Sequence, residues 1–175
     1  KADGCEYVWQ GDPAFWNGQC PVLFPVCCRV YGGYYTYEGR QYPMRCHGFL
    51  RDNQIEKVKV GDDVIKLYVT STEERLAQYP FKFRMEISYR LSGNKVRFLM
   101  VVRNLEEEKD MYFADGGHPG FNVPLDTGCF EDWYVEFDEE KPLKRFLFTD
   151  TCFQTGNTEP YELENGKILR LRHDL

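Results

Sequence analysis

Residues 85–104 read MEISYRLSGNKVRFLMVVRN. Apolar and polar side chains alternate from Met85 to Leu91, the period of a strand with one buried face. Ser92-Gly93-Asn94 then interrupts the run, and a second strand-like stretch returns through RFLMVV. A turn dipeptide flanked by period-2 alternation is the strongest short-range signal for a β-hairpin. The apolar run in RFLMVV is continuous, which predicts a strand buried on both faces.

The same pattern recurs along the chain. IEKVKVGDDVIKLYVTS turns at Gly61-Asp62-Asp63, YYTYEGRQYPM near Glu38-Gly39, and YELENGKILRLR at Asn165-Gly166. The one helix-like patch is STEERLAQYP, about two turns ended by Pro80. Many hairpins with almost no helix predict an all-β domain, a sandwich or a barrel. At 175 residues the chain fits one domain and can bury about 68–75% of its unfolded surface. No repeat or linker divides residues 1–175.

Composition narrows the function. Aromatics make up 16% of the chain, which favours pleated sheets and a pocket that stacks on flat rings, sugars among its candidates. A net charge of −6 argues against a nucleic-acid partner, which calls for a basic stripe. No apolar run approaches the roughly 18–20 residues needed to span a bilayer, and no basic amphipathic segment marks a membrane surface. Seven cysteines, two of them adjacent at 27 and 28, make a poor disulfide framework and read as reduced thiols in a cytoplasm. Their spacing contains no CxxC pair, so it does not fit a zinc site. The chain opens on KADGCEYVWQ and stops on RLRHDL, and both ends read as cuts through structured sequence.

Three segments break the alternation. They are WQGDPAFWNGQCPVLFPVCCR (9–29), RCHGFLRD (45–52) and GGHPGFNVPL (116–125), the last of which fences one of three histidines with glycines and a proline. Loops on a rigid β scaffold are where binding and catalysis concentrate. Imidazole, with a reference pKa of about 6.5, can give or take a proton near neutrality. His47 and His118, with arginines and aromatics nearby in sequence, make an acid/base pocket for a polyhydroxylated ligand. The plainer readings stand beside that one: a hydrogen-bonded turn histidine, surface arginines at Arg29 and Arg51, and tryptophans Trp9 and Trp16 that brace a loop. Vicinal Cys27-Cys28 read as small buried hydrophobes.

Taken in order, EYVWQGDPAFWNGQCPVLFPVCCRV, YTYEGRQYPMRCHGFLRD, EISYRLSGNKVRFLMVVRN, GGHPGFNVPL and CFEDWYVEF resemble the aldose 1-epimerase (galactose mutarotase) family, closest to its bacterial branch. The resemblance implies an antiparallel β-supersandwich, here incomplete, that interconverts the α and β anomers of a free hexose without a cofactor. It implies His118 as the general acid toward the ring oxygen. His47 would be a second histidine that orients and polarises the sugar near its anomeric end, and Arg29 a sugar-binding arginine. Arg51, Trp9 and Trp16 complete the expected binding set. The family's catalytic glutamate falls beyond the last motif, and none of Glu131, Glu136, Glu162 or Glu164 stands in its context. Cys46 stands where the family often has glutamine, and Cys27-Cys28 where glycine is common. A related branch acts on hexose 6-phosphates and carries an arginine before its Pro-x-x-Phe-Pro stretch. WNGQCPVLFP has none, which favours an unphosphorylated sugar, since phosphate recognition favours bidentate arginine. Arg51 keeps the phosphorylated option open, and a non-catalytic carbohydrate-binding protein of the same fold is the further alternative.

Overall fold

The computed structural model describes residues 3–52, 55–59, 61–138 and 142–174. The chain divides into two compact units, a central one (Val22–Gly116) and a terminal one that joins Lys1–Pro21 to Gly117–Leu175.

The central unit begins with a two-residue strand, β1 (Val22–Leu23), followed by the hairpin β2 (Tyr34–Tyr37) and β3 (Arg40–Pro43). Tyr37 faces Arg40 in register, and the turn between them holds Glu38 and Gly39 at φ +48° and +76°. Two successive positive φ values are what the twist-matched type I′ turn requires, and Gly39 supplies one without steric cost. An antiparallel meander follows: β4 (Glu56–Lys59), β5 (Val64–Thr70), β6 (Phe83–Ser92) and β7 (Lys95–Asn104), hydrogen-bonded in that order. Ser92 pairs with Lys95 around Gly93-Asn94, as the sequence predicts. A short strand, β8 (Gly116–Gly117), lies at the boundary of the units.

Alternation decides what is buried. Phe83, Met85 and Ile87 are fully buried on β6, and Phe98, Met100 and Val102 of β7 pack against the same core. Those three face Tyr89, Ile87 and Met85 in register, so one face of β7 continues the buried face of β6. Its other face is open, with Arg97 and Arg103 exposed and Leu99 50% exposed. The expectation that RFLMVV is buried on both faces is therefore corrected. Among the described residues β7 is the last strand of its sheet, and nothing covers its outer side chains.

Phe24 anchors this core. Its ring meets Phe83 at 5.0 Å, Tyr79 at 5.7 Å, Phe113 at 5.8 Å and Phe49 at 6.0 Å between centroids. Much of the chain's aromatic content is thus spent on packing, each fully buried ring contributing roughly 1.5–3 kcal/mol. Tyr35, stacked on Tyr42, donates its hydroxyl to Gln78 O at 3.0 Å, and burial, with a smaller push from Tyr42, raises its phenol to about 12.

The helical patch is shorter than two turns. α1 (Glu73–Leu76) is a single turn whose Thr72 hydroxyl accepts from Arg75 N at 3.3 Å. Tyr79 N still reaches Arg75 O, after which Pro80 has no N–H to continue the ladder.

Across β5 and β6, Lys66 Nζ lies 2.6 Å from Glu86 Oε1. The hydrogen bond from Lys66 holds the Glu86 carboxyl below its usual range, and the same bond raises Lys66. A depressed carboxylate stabilises the fold above its unfolded value of about 4.3, and that stability is lost as pH falls through the lower folded value. The Lys66 contribution is complete below about 10.4 and is lost only as pH rises beyond it. The urea midpoint should therefore fall between about pH 5 and pH 2 more steeply in the wild type than in Glu86→Gln. Parallel slopes for the two proteins over that interval would refute the pair's contribution.

In the terminal unit, β9 (Tyr134–Glu136) pairs with β12 (Ile168–Arg170), and β10 (Leu143–Phe148) with β11 (Gln154–Tyr161), all antiparallel. The Asn165-Gly166 turn forms, both residues at positive φ, but it closes a single bridge, Glu164 to Ile168. The expected strand pairing around it is replaced by β12 on β9. Arg170 makes two bonds to Glu164 and lies 5.4 Å over the Tyr134 ring, which fastens turn and strand together. No helix among the described residues is long and apolar enough to cross a membrane.

Candidate functional site

The expected site residues fall in two clusters, one in each unit. Trp9, Trp16 and His118 belong to the terminal unit; Arg29, His47 and Arg51 belong to the central one.

In the terminal cluster, GDPAFW folds into a tight loop. Asp12 accepts from Ala14 N through its side chain at 2.8 Å and from Trp16 N through its carbonyl at 2.7 Å, while Asp12 N returns a bond to Trp16 O. Aspartate before proline favours such self-bonded turns. The loop projects the Trp16 ring against His118, with centroids 5.1 Å apart and planes at 41°. Gly18 lies under that ring, where a Cβ would come within 2.6 Å of it.

Trp9 approaches from a short antiparallel clamp. Trp9 N donates to Gly120 O and Asn122 N to Tyr7 O, and the Asn122 side-chain amide donates to Glu6 O at 2.8 Å and Val8 O at 3.2 Å. The Trp9 indole N–H is committed to Trp16 O at 2.7 Å. A Cβ at Gly120 would stand 3.0 Å from both Trp9 Cβ and the Trp16 ring. This explains one of the glycines around His118: Gly120 makes room for two indoles. Gly116 has a separate cause, the Cys27 sulfur 3.3 Å from where its Cβ would be. His118 N donates to Pro21 O at 3.0 Å, which fixes the loop through its backbone and leaves the imidazole on the exposed side. Asn122 and Gly120 were not anticipated, because an amide that bridges two distant carbonyls leaves no local pattern. An open depression of about 680 Å³ runs beside Trp9, Phe121 and Asn122. His118 does not line it, so the geometry gives no reason to place a reacting sugar there.

In the central cluster, His47 sits at φ +67° and Gly48 at +75°, with Cys28 at +75° opposite them. Such conformations cost a Cβ-bearing residue of order 1–3 kcal/mol and persist only where the surroundings over-determine them. Here the surroundings are backbone. His47 N donates to Cys28 O at 3.0 Å, Phe24 N to His47 O at 3.3 Å, and Leu50 N to Phe24 O at 3.4 Å. The His47 ring adds a side-chain bond, accepting from Cys28 N at Nδ1 at 3.0 Å. Gly48 is the contact point: a Cβ there would lie 2.0 Å from Phe24 O. Arg29 follows Cys28 and is exposed, while Arg51 is half-buried on a 3-10 turn (Leu50–Asp52).

All seven cysteines are free thiols. Cys27 and Cys28 are half-buried rather than buried, a correction to their reading as core hydrophobes. Burial first, then Cys28 and Asp115, push the Cys27 thiol above its usual range, so it is a poor nucleophile.

An imidazole packed on an indole, and a second imidazole with arginines on a rigid turn, suit proton transfer and hydrogen bonding to a polyol. The chain matches the aldose 1-epimerase family over residues 1–162, and it belongs to that family. It is 37% identical to the plasmid-encoded protein LacX of Lactococcus lactis subsp. lactis, an alignment that covers 99% of this chain and 60% of the relative. Among solved structures it resembles a galactose mutarotase-like protein from Lactobacillus casei, with TM-score 0.87, 34% identity, and 99% and 60% of the two chains covered. A galactose mutarotase related enzyme from Lactobacillus acidophilus gives TM-score 0.86 at 32% identity, with 97% and 56% covered. The fold is all-β and galactose mutarotase-like. The chain spans about 60% of the length of the LacX relative.

Proposed function

We propose that the protein is an aldose 1-epimerase acting on a free hexose. The observation that carries the proposal is the His118 imidazole held against Trp16 on a loop whose glycine admits both indoles. Mutarotation needs one proton delivered to the ring oxygen and one removed from the anomeric hydroxyl. The ring then opens to an aldehyde, rotates about C1–C2 and recloses on the other face. His118 supplies the first proton. Trp16, with Trp9 behind it, offers an aromatic surface to the sugar's C–H face. The family resemblance adds His47, Arg29 and Arg51 as the residues that bind the sugar. A positioned acid and base typically give 10²–10⁴-fold per proton transfer. No glutamate of residues 1–175 is assigned as the base. The partner is a small sugar, and the working compartment is the cytoplasm.

The test is polarimetry of freshly dissolved α-D-glucose and α-D-galactose with the intact protein. Faster approach to equilibrium rotation with either sugar is the expected result, and unchanged rates with both would end the reading for those sugars. Isothermal titration with the same hexoses and their 6-phosphates separates the branches. Tighter binding of a 6-phosphate would transfer the assignment to phosphorylated substrates. Binding of free hexose without turnover would make this a carbohydrate-binding protein.

A further inference from the structure

We infer that the Cys28 peptide N–H is a positioning group that holds His47 as a neutral imidazole with its proton on Nε2. His47 is then a fixed hydrogen-bond donor and takes no part in proton transfer. The identity of the oxygen it serves rests on the epimerase reading; the tautomer does not.

The argument starts from what an amide can do. A peptide N–H only donates, so the ring nitrogen 3.0 Å from Cys28 N must present a lone pair. Nδ1 has one only when it carries no proton, and the imidazole's single N–H must then be on Nε2. Protonation at Nδ1 would set two N–H groups head to head. The contact cannot swing away easily, because the main chain makes the reverse bond, His47 N to Cys28 O, also at 3.0 Å. Two bonds between the same pair of residues close a small ring around the side chain. Positive φ at Cys28, His47 and Gly48 turns the two segments into each other, and the bare Gly48 lets Phe24 O close the turn from below. Which ring nitrogen of a histidine is available is set by the bond the other one makes.

The two histidines thus have different tasks. A general acid must lose and regain a proton in every cycle, which suits the exposed ring of His118. A ring whose Nδ1 is engaged by a backbone amide suits a constant donor to a sugar oxygen. Cys28→Gly keeps the amide and removes the strain of positive φ, so it should retain the tautomer. Cys28→Pro is no test, because proline's φ near −65° cannot replace +75° and the turn would be lost.

The decisive measurement uses the intact 15N-labelled protein without sugar. Long-range 1H–15N correlation at neutral pH should show the His47 ring with Nε2 protonated and Nδ1 pyridine-like. A scalar coupling through the hydrogen bond should link Nδ1 to the Cys28 amide nitrogen. A proton on Nδ1, or absence of the coupling, overturns the lock whether or not the protein is an epimerase. Kinetics then test the role. His47→Gln places an amide N–H near the Nε2 position and cannot transfer a proton. It should keep kcat/KM within about tenfold, while His47→Ala loses about 10²-fold, each variant first checked for a native spectrum. Equal inactivity of the two folded variants, with the lock intact, would show that His47 moves a proton and overturn the donor role. If the wild type itself does not accelerate mutarotation, the epimerase reading fails and the coupling alone decides the lock.

Discussion

His118→Ala should lower kcat for mutarotation by at least ~10²-fold, the low end of what a positioned general acid contributes. The fold should not register the change. The His118 side chain is exposed, and the loop is fixed by its backbone bond to Pro21 and by the clamp of Tyr7 and Trp9 on residues 120–122. Thermal stability should therefore stay within about 0.5 kcal/mol of wild type, as for other surface positions. Loss of rate with unchanged stability is the signature of a proton donor. A near wild-type kcat would remove His118 from that role, and a large drop in stability would recast it as a packing residue beside Trp16.

Gly48→Ala should cost about 2–5 kcal/mol of stability. Two costs combine. The new Cβ would lie 2.0 Å from Phe24 O, 2.4 Å from Phe24 C and 2.7 Å from Pro25 N, all backbone atoms that no rotamer change can move. The residue must also keep φ +75°. Gly93→Ala separates the two, since Gly93 has φ +58° and open space where a Cβ would go. That control should cost only the left-handed conformation, about 1–2 kcal/mol. Urea unfolding of both variants measures the difference through the midpoint, provided the slope is unchanged. Equal destabilisation of the two would mean that the close approach of residues 24 and 48 is not rigid. Because Phe24 N and O bond to His47 and Leu50 on either side of that contact, Gly48→Ala should also disturb the His47–Cys28 pair.

The local chemistry of the chain was enough to reveal the hairpins of the central unit. Glu38-Gly39, Gly61-Asp62-Asp63 and Gly93-Asn94 turn where they stand because positive φ and side-chain bonding are properties of two or three adjacent residues. Alternation on β6 likewise named its buried face, since neighbouring side chains on a strand must point oppositely. The histidines, arginines and tryptophans could be picked out from loop composition and family resemblance.

Other features depended on long-range partners. Whether RFLMVV is covered on one face or two depends on what packs over the outer face of β7, and whether Asn165-Gly166 closes a ladder depends on β9 competing for β12. Neither competition leaves a mark in the residues themselves. The site details are of the same kind. The glycine beside two indoles, the asparagine bridging Glu6 and Val8, and the Cys28 amide on His47 Nδ1 join residues from 19 to more than 100 positions apart. Residue type says that an imidazole can be acid, base or donor. Only the atom that tertiary structure sets against Nδ1 decides which, because a hydrogen bond at one ring nitrogen fixes the proton at the other.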